Sequence, residues 1–133
     1  MISFLQEKIM NEEKELVLRV MPMPSDTNIH GDIFGGWIMS QVDIAGAILA
    51  SQLSMGRVST VAVNNFVFKQ PIYVGDLVSF YAKIIKVGNT SITVEVEVFA
   101  QRKRYEHTIK VTEATLTYVA LDDNGKSRPV QPK

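Results

Sequence analysis

The sequence predicts an α+β fold, in which an antiparallel sheet of about five strands wraps one long central helix. The chain has one long stretch with helical periodicity, from Trp37 to Leu53. From Val58 onward, runs of β-branched and aromatic residues with two-residue periodicity follow. Gly88-Asn89 separates two of these runs and is a hairpin signal. Strands that are linked by hairpins favour an antiparallel sheet.

Size and composition indicate one globular domain and exclude several classes of site. The chain has 133 residues, of which 46% are hydrophobic and 21% charged, and its formal net charge is zero. There is thus no global basic field of the kind that nucleic acid or an anionic membrane attracts, and neither partner is expected. The chain has no cysteine, which excludes disulfides and thiolate nucleophiles. Two histidines are too few to suggest a metal cluster, so no metal or cofactor is expected.

Residues 1–14 are interpreted as an N-terminal extension. They carry several glutamates and lack the apolar core of a signal peptide, so a cytoplasmic location is expected. The folded domain is predicted to span residues 15–121, with a first strand at Glu15–Val20 and a loop rich in proline and polar residues at 21–30. Residues 122–133 are expected to form a polar C-terminal tail that begins with a turn.

The helical stretch is apolar on nearly every side. One stripe at helical spacing consists of Ile38, Val42, Ala45 and Leu49. A helix of this kind should be buried rather than lie on a surface. Gly56 is a plausible stop signal after it.

Four strands are expected after the helix. The runs are Val58–Phe68, Leu77–Val87, a strictly alternating stretch from Ile92 to Phe99, and His107–Leu121. One helix covers a single face of such a sheet, and its edge strands remain free. Edge-to-edge pairing of two copies would cap one edge in each.

Asp43 is anomalous in the middle of the apolar helix. A buried carboxylate is unfavourable unless it is paired, hydrogen-bonded or neutralised, and aspartate is a poor residue for a helix interior. One interpretation is structural, with Asp43 accepting hydrogen bonds from backbone or from a partner subunit. The other is catalytic: a partly desolvated carboxylate can take a proton from attacking water, or attack a carbonyl itself.

Gly35 and Gly36 precede this helix. The first N–H groups of a helix have no internal partners, and the helix dipole there favours negative charge. These two glycines therefore suit an oxyanion hole, since glycine lets a substrate approach closely. The alternative is that they only form the turn into the helix.

Two local patterns resemble the acyl-CoA thioester hydrolases of the hotdog fold, most of all the small bacterial YciA-type members. The first runs from Asn28 to Met39, reads NIHGDIFGGWIM, and continues with Asp43 and Ala45-Gly46. The second pattern comprises Phe66, Pro71, Gly75-Asp76, Val87-Gly88 and Ser91. The resemblance extends from about Leu16 to Leu121, nearly the whole chain.

The resemblance implies hydrolysis of acyl-CoA to free acid and CoA, in dimers that assemble into trimers of dimers with active sites between subunits. The catalytic aspartate of the family corresponds to Asp43. Asp32 occupies a position where some two-domain relatives have an active asparagine, so it is a further catalytic candidate. Asn28 and Phe34, within the same motif, are candidates for substrate binding.

Other candidates follow from the expected substrate. CoA carries several phosphates, and Arg57, Lys86 and Arg128 are selected as the cations that bind them. His30 either orients the loop and the thioester or caps a turn. Asn64 interrupts a β run, and it either binds water or substrate, marks a bulge, or is a core asparagine with satisfied hydrogen bonds.

Other classes of function remain open at this stage. A non-catalytic acyl-CoA sensor on the same fold would bind CoA without turnover. A hotdog hydratase would pair its aspartate with a nearby histidine, which the helix after Asp43 lacks. A serine-triad hydrolase is disfavoured because the chain has no GxSxG motif.

Overall fold

The computed structural model describes residues 13–102, 104 and 106–130. Within them the elements, in chain order, are β1 (Glu15–Val20), α1 (Gly35–Ser54), β2 (Val58–Phe68), β3 (Leu77–Val87), β4 (Ser91–Arg102) and β5 (His107–Ala120). The strands form a five-stranded sheet in the order β1-β3-β4-β5-β2, and every neighbouring pair is antiparallel. The predicted α+β class is therefore confirmed.

The core lies between α1 and one face of the sheet. In β4, the buried residues alternate with half-buried ones, as the two-residue periodicity predicts. Val98 of β4 is in register with Phe80 of β3, and Val94 is in register with Leu116 of β5. All four side chains are fully buried in one hydrophobic cluster. This cluster holds α1 in place across the middle of the sheet.

The helix begins at Gly35, two residues before Trp37, which is the start that the sequence pattern predicted. Gly35 and Gly36 adopt helical backbone angles, and Phe34 takes the N-cap position without a side-chain cap. The apolar periodicity begins only at Trp37, which explains the difference. At the other end Met55 adopts a left-handed conformation (φ 58°), and its N–H donates to the carbonyl of Ser51. The stop therefore lies one residue before the predicted Gly56.

The prediction that the helix is buried on all sides is wrong for a single chain. The stripe Ile38, Val42, Ala45 and Leu49 is buried against the sheet. Met39 and Ile44, on other sides of α1, are both nearly half exposed. The sheet covers only one side of the helix, so part of its apolar surface remains exposed in a single chain.

The C-terminal segment is packed against the domain instead of forming a purely polar tail. Ser127 pairs with Leu121 in an isolated bridge, and the N–H of Val130 donates to the carbonyl of Asn89. Val130 is 1% exposed and belongs to the core. Packing therefore continues to Val130, beyond the predicted domain boundary at residue 121.

Most of the predicted N-terminal extension lies outside the described residues. Of the part that is described, Lys14 forms ion pairs with Glu95 and Glu97 on the helix-free face of the sheet. No helix in the described part of the chain combines the length and apolar character needed to cross a membrane.

Candidate active site

Asp43 lies on the side of α1 that faces β2 and β5, and its side chain is half-buried. Thr60 of β2 donates its hydroxyl to Asp43 Oδ1 over 2.6 Å. The Tyr118 hydroxyl of β5 lies 3.1 Å from the same oxygen and 2.8 Å from the main-chain carbonyl of Asp43. Among the described residues, none hydrogen-bonds to Oδ2. One carboxylate oxygen is thus held by hydroxyl groups, and the other has no protein partner there.

Asp76 is an aspartate with a structural role in this fold and serves as a comparison for Asp43. Asp76 is 4% exposed and accepts hydrogen bonds from the Tyr73 N–H and from Arg102 Nε, both on Oδ2. The charge of Asp76 is therefore neutralised by a guanidinium. No such ion pair exists for Asp43 within residues 13–102, 104 and 106–130. This difference favours a chemical role for Asp43.

Tyr118 remains a hydrogen-bond donor at all ordinary pH values. Burial, together with the nearby charge of Asp43, raises the pKa of Tyr118 far above its usual 10. The ring is fully buried, and its hydroxyl lies against the backbone of α1 at Gly46, where a Cβ would overlap it. Glycine at position 46 is therefore required for the contact between Tyr118 and Asp43.

The first turn of α1 presents free donors. Trp37 and Ile38 direct their N–H groups to the carbonyl of Phe34, as in any helix start. No hydrogen bond within the described residues uses the N–H of Gly35 or Gly36. The ring of Phe68 lies against Gly35, whereas the space beside Gly36 is open. This helix entrance can therefore accept an anionic oxygen.

Within one protomer the carboxylate and the helix entrance are too far apart to act on the same carbonyl. Asp43 follows Gly36 by seven residues, and each residue adds about 1.5 Å along the axis, which gives about 10 Å. A reacting carbonyl has to lie about 3 Å from both groups. Asp43 and the helix entrance of the same chain therefore do not meet at one carbonyl.

The loop before α1 is organised by Asn28. Its Oδ1 accepts the N–H groups of His30 (2.8 Å) and Asp32 (3.2 Å), and Gly31 between them has a positive φ of 85°. The oxygen of Asn28 thus shapes the turn. His30 is exposed, and no described residue hydrogen-bonds to its imidazole, so the structure does not make it the residue that caps this turn.

A cleft of about 350 Å³ opens at the helix entrance. Asn28, Asp32 and Gly35 lie along it beside the apolar side chains of Phe68 and Ile72. The cleft thus brings together three residues that the sequence singled out. Phe34, at the N-cap, is about half exposed.

β2 is an edge strand with an exposed apolar surface. Val61 is 57% exposed, and Val63 and Val67 are similarly accessible. Asn64 is also exposed on this strand, opposite Thr115. The pairing with β5 shifts register between Asn64 and Val67, and Asn65 there has φ 57°, so a bulge does interrupt the strand.

Two of the three cations chosen for CoA phosphates lie together at the C-terminal end of α1. The N–H of Leu121 donates to the carbonyl of Arg57, and Arg128 Nε donates to the carbonyl of Leu121. Arg128 also donates to the carbonyls of Ser54 and Pro129. Lys86 is exposed near the end of β3. The guanidinium of Arg128 therefore has a structural role, and phosphate binding by these cations remains a prediction.

A family model described as the thioesterase superfamily matches residues 30–106, more than half of the chain. The chain belongs to the thioesterase superfamily.

Individual thioesterases are similar over most of its length. An acyl-CoA thioester hydrolase YciA of Salmonella typhimurium is 51% identical over 119 residues, which cover 87% of this chain and 90% of the relative. A hexameric broad-specificity acyl-coenzyme A thioesterase, solved as an aspartate-to-alanine mutant, has a TM-score of 0.86 and 48% identity, with coverage of 91% and 89%. A hexameric hotdog fold thioesterase of Campylobacter jejuni has a TM-score of 0.84 and 51% identity, with coverage of 88% and 90%. The predicted family and hotdog fold are thus confirmed.

Sequence patterns did not single out the two residues whose hydroxyl groups contact Asp43, Thr60 and Tyr118. Both lie in strands, where threonine and tyrosine are common for packing reasons alone. Gly46 was the available signal, because a glycine inside a buried helix is unfavourable unless something large lies against it. It lies three residues after Asp43 and therefore on the same side of α1.

Proposed function

We propose that this protein hydrolyses acyl-CoA thioesters to a carboxylic acid and CoA, with Asp43 as the reacting carboxylate. The observation that carries the proposal is the half-buried Asp43, whose Oδ1 accepts hydroxyl hydrogen bonds and whose Oδ2 has no partner among the described residues. The names of its relatives, acyl-CoA thioester hydrolases and thioesterases, supply the substrate class.

The chemistry requires one base and one oxyanion site. With Asp43 as general base, its carboxylate takes a proton from water while the water oxygen bonds to the thioester carbon. The carbonyl oxygen becomes an oxyanion, which the N–H groups of Gly35 and Gly36 stabilise. The C–S bond then breaks, and the CoA sulfur receives the proton. Alternatively, the carboxylate attacks the carbon itself, the C–S bond breaks, and CoA leaves as a thiolate that takes a proton from solvent. Water then hydrolyses the resulting mixed anhydride to the free acid and regenerates the carboxylate.

Each active site is shared between two protomers in this proposal. The separation of about 10 Å along the helix axis between the backbone of Asp43 and that of Gly36 supports sharing, as argued above. The apolar edge of β2 supports pairing of two copies along this strand, because an exposed apolar edge is otherwise a site of aggregation. The hexameric state of two relatives is consistent with further assembly into a trimer of dimers.

The central test is Asp43→Asn, which keeps the shape and removes the base. We expect hydrolysis of a panel of acyl-CoA thioesters, followed by thiol release, to fall at least about 100-fold. Asp123→Asn, in an exposed turn, is the matched control and should retain full activity. Full activity of Asp43→Asn would overturn the proposal. Tight CoA binding by the wild type without any turnover would favour a sensor instead.

A mixing experiment tests the shared site. Gly36→Pro removes one N–H but suits the first turn of a helix, so it should fold and lose activity. In a mixed dimer, the Gly36→Pro chain supplies an intact Asp43 and the Asp43→Asn chain supplies an intact helix entrance. One of the two shared sites therefore contains both wild-type groups. Co-refolding the two inactive variants should therefore restore about a quarter of the activity. No recovery from a verified mixed dimer would show that both groups act within one chain.

A trapping experiment distinguishes general-base catalysis by Asp43 from nucleophilic attack by Asp43. Hydroxylamine added during turnover converts a mixed anhydride at Asp43 into a hydroxamate, which mass spectrometry of the peptide detects. Modification restricted to Asp43 and dependent on substrate would favour the nucleophilic route. Its absence at saturating hydroxylamine would favour the general base.

A further inference from the structure

Tyr118 makes an unusual pair of contacts with a single residue. Its hydroxyl lies 2.8 Å from the main-chain oxygen of Asp43 and 3.1 Å from Oδ1 of the same residue. A phenol has one proton, so it donates to one of these oxygens or is shared between them. Either way, the ring fixes the position of the Asp43 side chain relative to its own backbone.

The main-chain contact alone does not account for this arrangement. Inside a helix, the carbonyl of a residue already accepts the N–H four residues later, so the backbone of Asp43 does not need a further donor. Placing the hydroxyl there also requires Gly46, and glycine in a helix interior costs about 1 kcal/mol relative to alanine. The carboxylate is the acceptor that gains most, because a hydrogen bond to a charged oxygen is the stronger one.

The Thr60 hydroxyl restrains the same carboxylate from the other strand. Thr60 donates to Oδ1, and the Tyr118 hydroxyl lies within hydrogen-bond distance of the same oxygen. Two hydroxyl groups on one oxygen restrict rotation of the carboxylate more than either does alone. Rotation would exchange Oδ1 and Oδ2 and would disturb the alignment of the base with its water. Alignment of this kind has large effects on rate, since a displacement of about 1 Å can reduce it about 100-fold.

We propose that Tyr118 is a positioning residue that holds the Asp43 carboxylate with Oδ2 directed to the reacting water or thioester. The inference rests on the proposed role of Asp43. It goes beyond that role because it assigns a function to a tyrosine that is fully buried from solvent.

The test is Tyr118→Phe, which removes the hydroxyl and keeps the ring. We expect kcat for acyl-CoA hydrolysis to fall about 10- to 100-fold, with KM unchanged, because only alignment is lost. Tyr81→Phe is the matched control, since Tyr81 lies on β3 in contact with Phe99. It should keep kcat. A Tyr118→Phe protein that retains wild-type kcat would overturn the inference.

A double variant distinguishes positioning from a general structural role. If Tyr118 acts through Asp43, then Tyr118→Phe should not lower the residual rate of Asp43→Asn any further. Equal fold-losses in both backgrounds would indicate a structural role only. If Tyr118→Phe fails to fold, ring-fluorinated tyrosine at position 118 against wild type supplies a second measurement. It keeps the shape, and the altered donor strength should change kcat while the melting temperature stays the same.

The outcomes for the two proposals are separable. Wild-type activity of Asp43→Asn defeats the proposed function itself. A loss in Asp43→Asn combined with wild-type kcat in Tyr118→Phe defeats only the role of Tyr118.

Discussion

Thr60 and Tyr118 are direct cross-strand partners in β2 and β5, and both hydroxyl groups lie within hydrogen-bond distance of the same carboxylate oxygen of Asp43. The pairing of two strands therefore positions a side chain on the helix. Because β2 is also an edge strand of the sheet, the contact lies next to the surface on which a second copy is proposed to pair. Assembly and alignment of the carboxylate are thus expected to be coupled.

The Thr60 hydroxyl should contribute to rate through Asp43. Thr60→Val keeps the shape and removes a donor to a charged group, a bond that contributes about 1.5–3 kcal/mol. We therefore expect kcat to fall about 10- to 100-fold, and Thr60→Ser to restore most of it. Thr117→Val, on β5, is the control and should leave the rate unchanged. Wild-type kcat in Thr60→Val would contradict the role assigned to this contact.

Gly46 should tolerate no larger residue. A Cβ there would overlap the hydroxyl of Tyr118 and lie 3.0 Å from its Cζ, in a fully packed region. Gly46→Ala should lower the free energy of unfolding by about 1–3 kcal/mol, as overpacking does. Gly36→Ala makes the same chemical change in the same helix where the space is open, and should not destabilise the fold. Denaturant unfolding of the two variants checks this, and equal stabilities would contradict it.

The sequence predicted the strands well because each carries its burial pattern in alternating residues. β2 and β3 begin and end where their periodicity does, and β5 ends one residue before the predicted position. It could also identify Asp43, since a carboxylate in an apolar helix is unfavourable in any fold. Tyr118 could not be found this way, because its partner is 75 residues away and only the sheet brings the two together.

The structural role of Arg128 also could not be predicted from the sequence. A single arginine in a polar segment looks like any solvated cation, and one of its three carbonyl partners, Ser54, is 74 residues away. Arg128 also explains the glycine at position 56, because a Cβ there would lie 2.6 Å from the guanidinium of Arg128. Gly56, which the sequence indicated as a helix stop, therefore also leaves space for the Arg128 side chain.

Arg128 should matter more for stability than Arg57. Arg128→Met removes donors from the carbonyls of Leu121, Ser54 and Pro129, and an unsatisfied carbonyl in a partly buried site costs about 1–3 kcal/mol. Arg57→Met should lower the melting temperature less. If KM for acyl-CoA rises in both variants while kcat of the folded protein is unchanged, both cations contact the CoA phosphates. An unchanged KM in both would remove them from CoA binding.

Protonation of Glu113 should lower the stability of the fold in acid. Hydrogen bonds and charge from Lys110 and then Lys69 lower the pKa of Glu113 from 4.5 to about 2. Because the pKa is lower in the folded state, this carboxylate stabilises the fold above about pH 4.5, and the contribution disappears as pH falls toward 2. The group is exposed, so at pH 7 we expect Glu113→Gln to lose less than about 1 kcal/mol.

The measurement is the free energy of unfolding against pH from 7 to 2. Glu113→Gln should show a flatter decline between pH 4.5 and 2 than the wild type, and the difference should shrink in high salt. Glu106→Gln, an exposed glutamate before β5, is the control. Parallel curves for Glu113→Gln and wild type would show that these ion pairs add nothing measurable.

The exposed edge of β2 should be the contact on which activity depends. Val61→Lys places a charge on this edge, and edge lysines oppose pairing with another strand. We expect sedimentation to show smaller species and thiol release from acyl-CoA to be lost, although Asp43 and its hydroxyl partners are intact. Val74→Lys makes the same substitution at a similarly exposed valine in the loop before β3, and should leave assembly and activity unchanged. A Val61→Lys protein that is monomeric and fully active would show that one chain contains the complete site, because no second helix entrance would then be available to its Asp43.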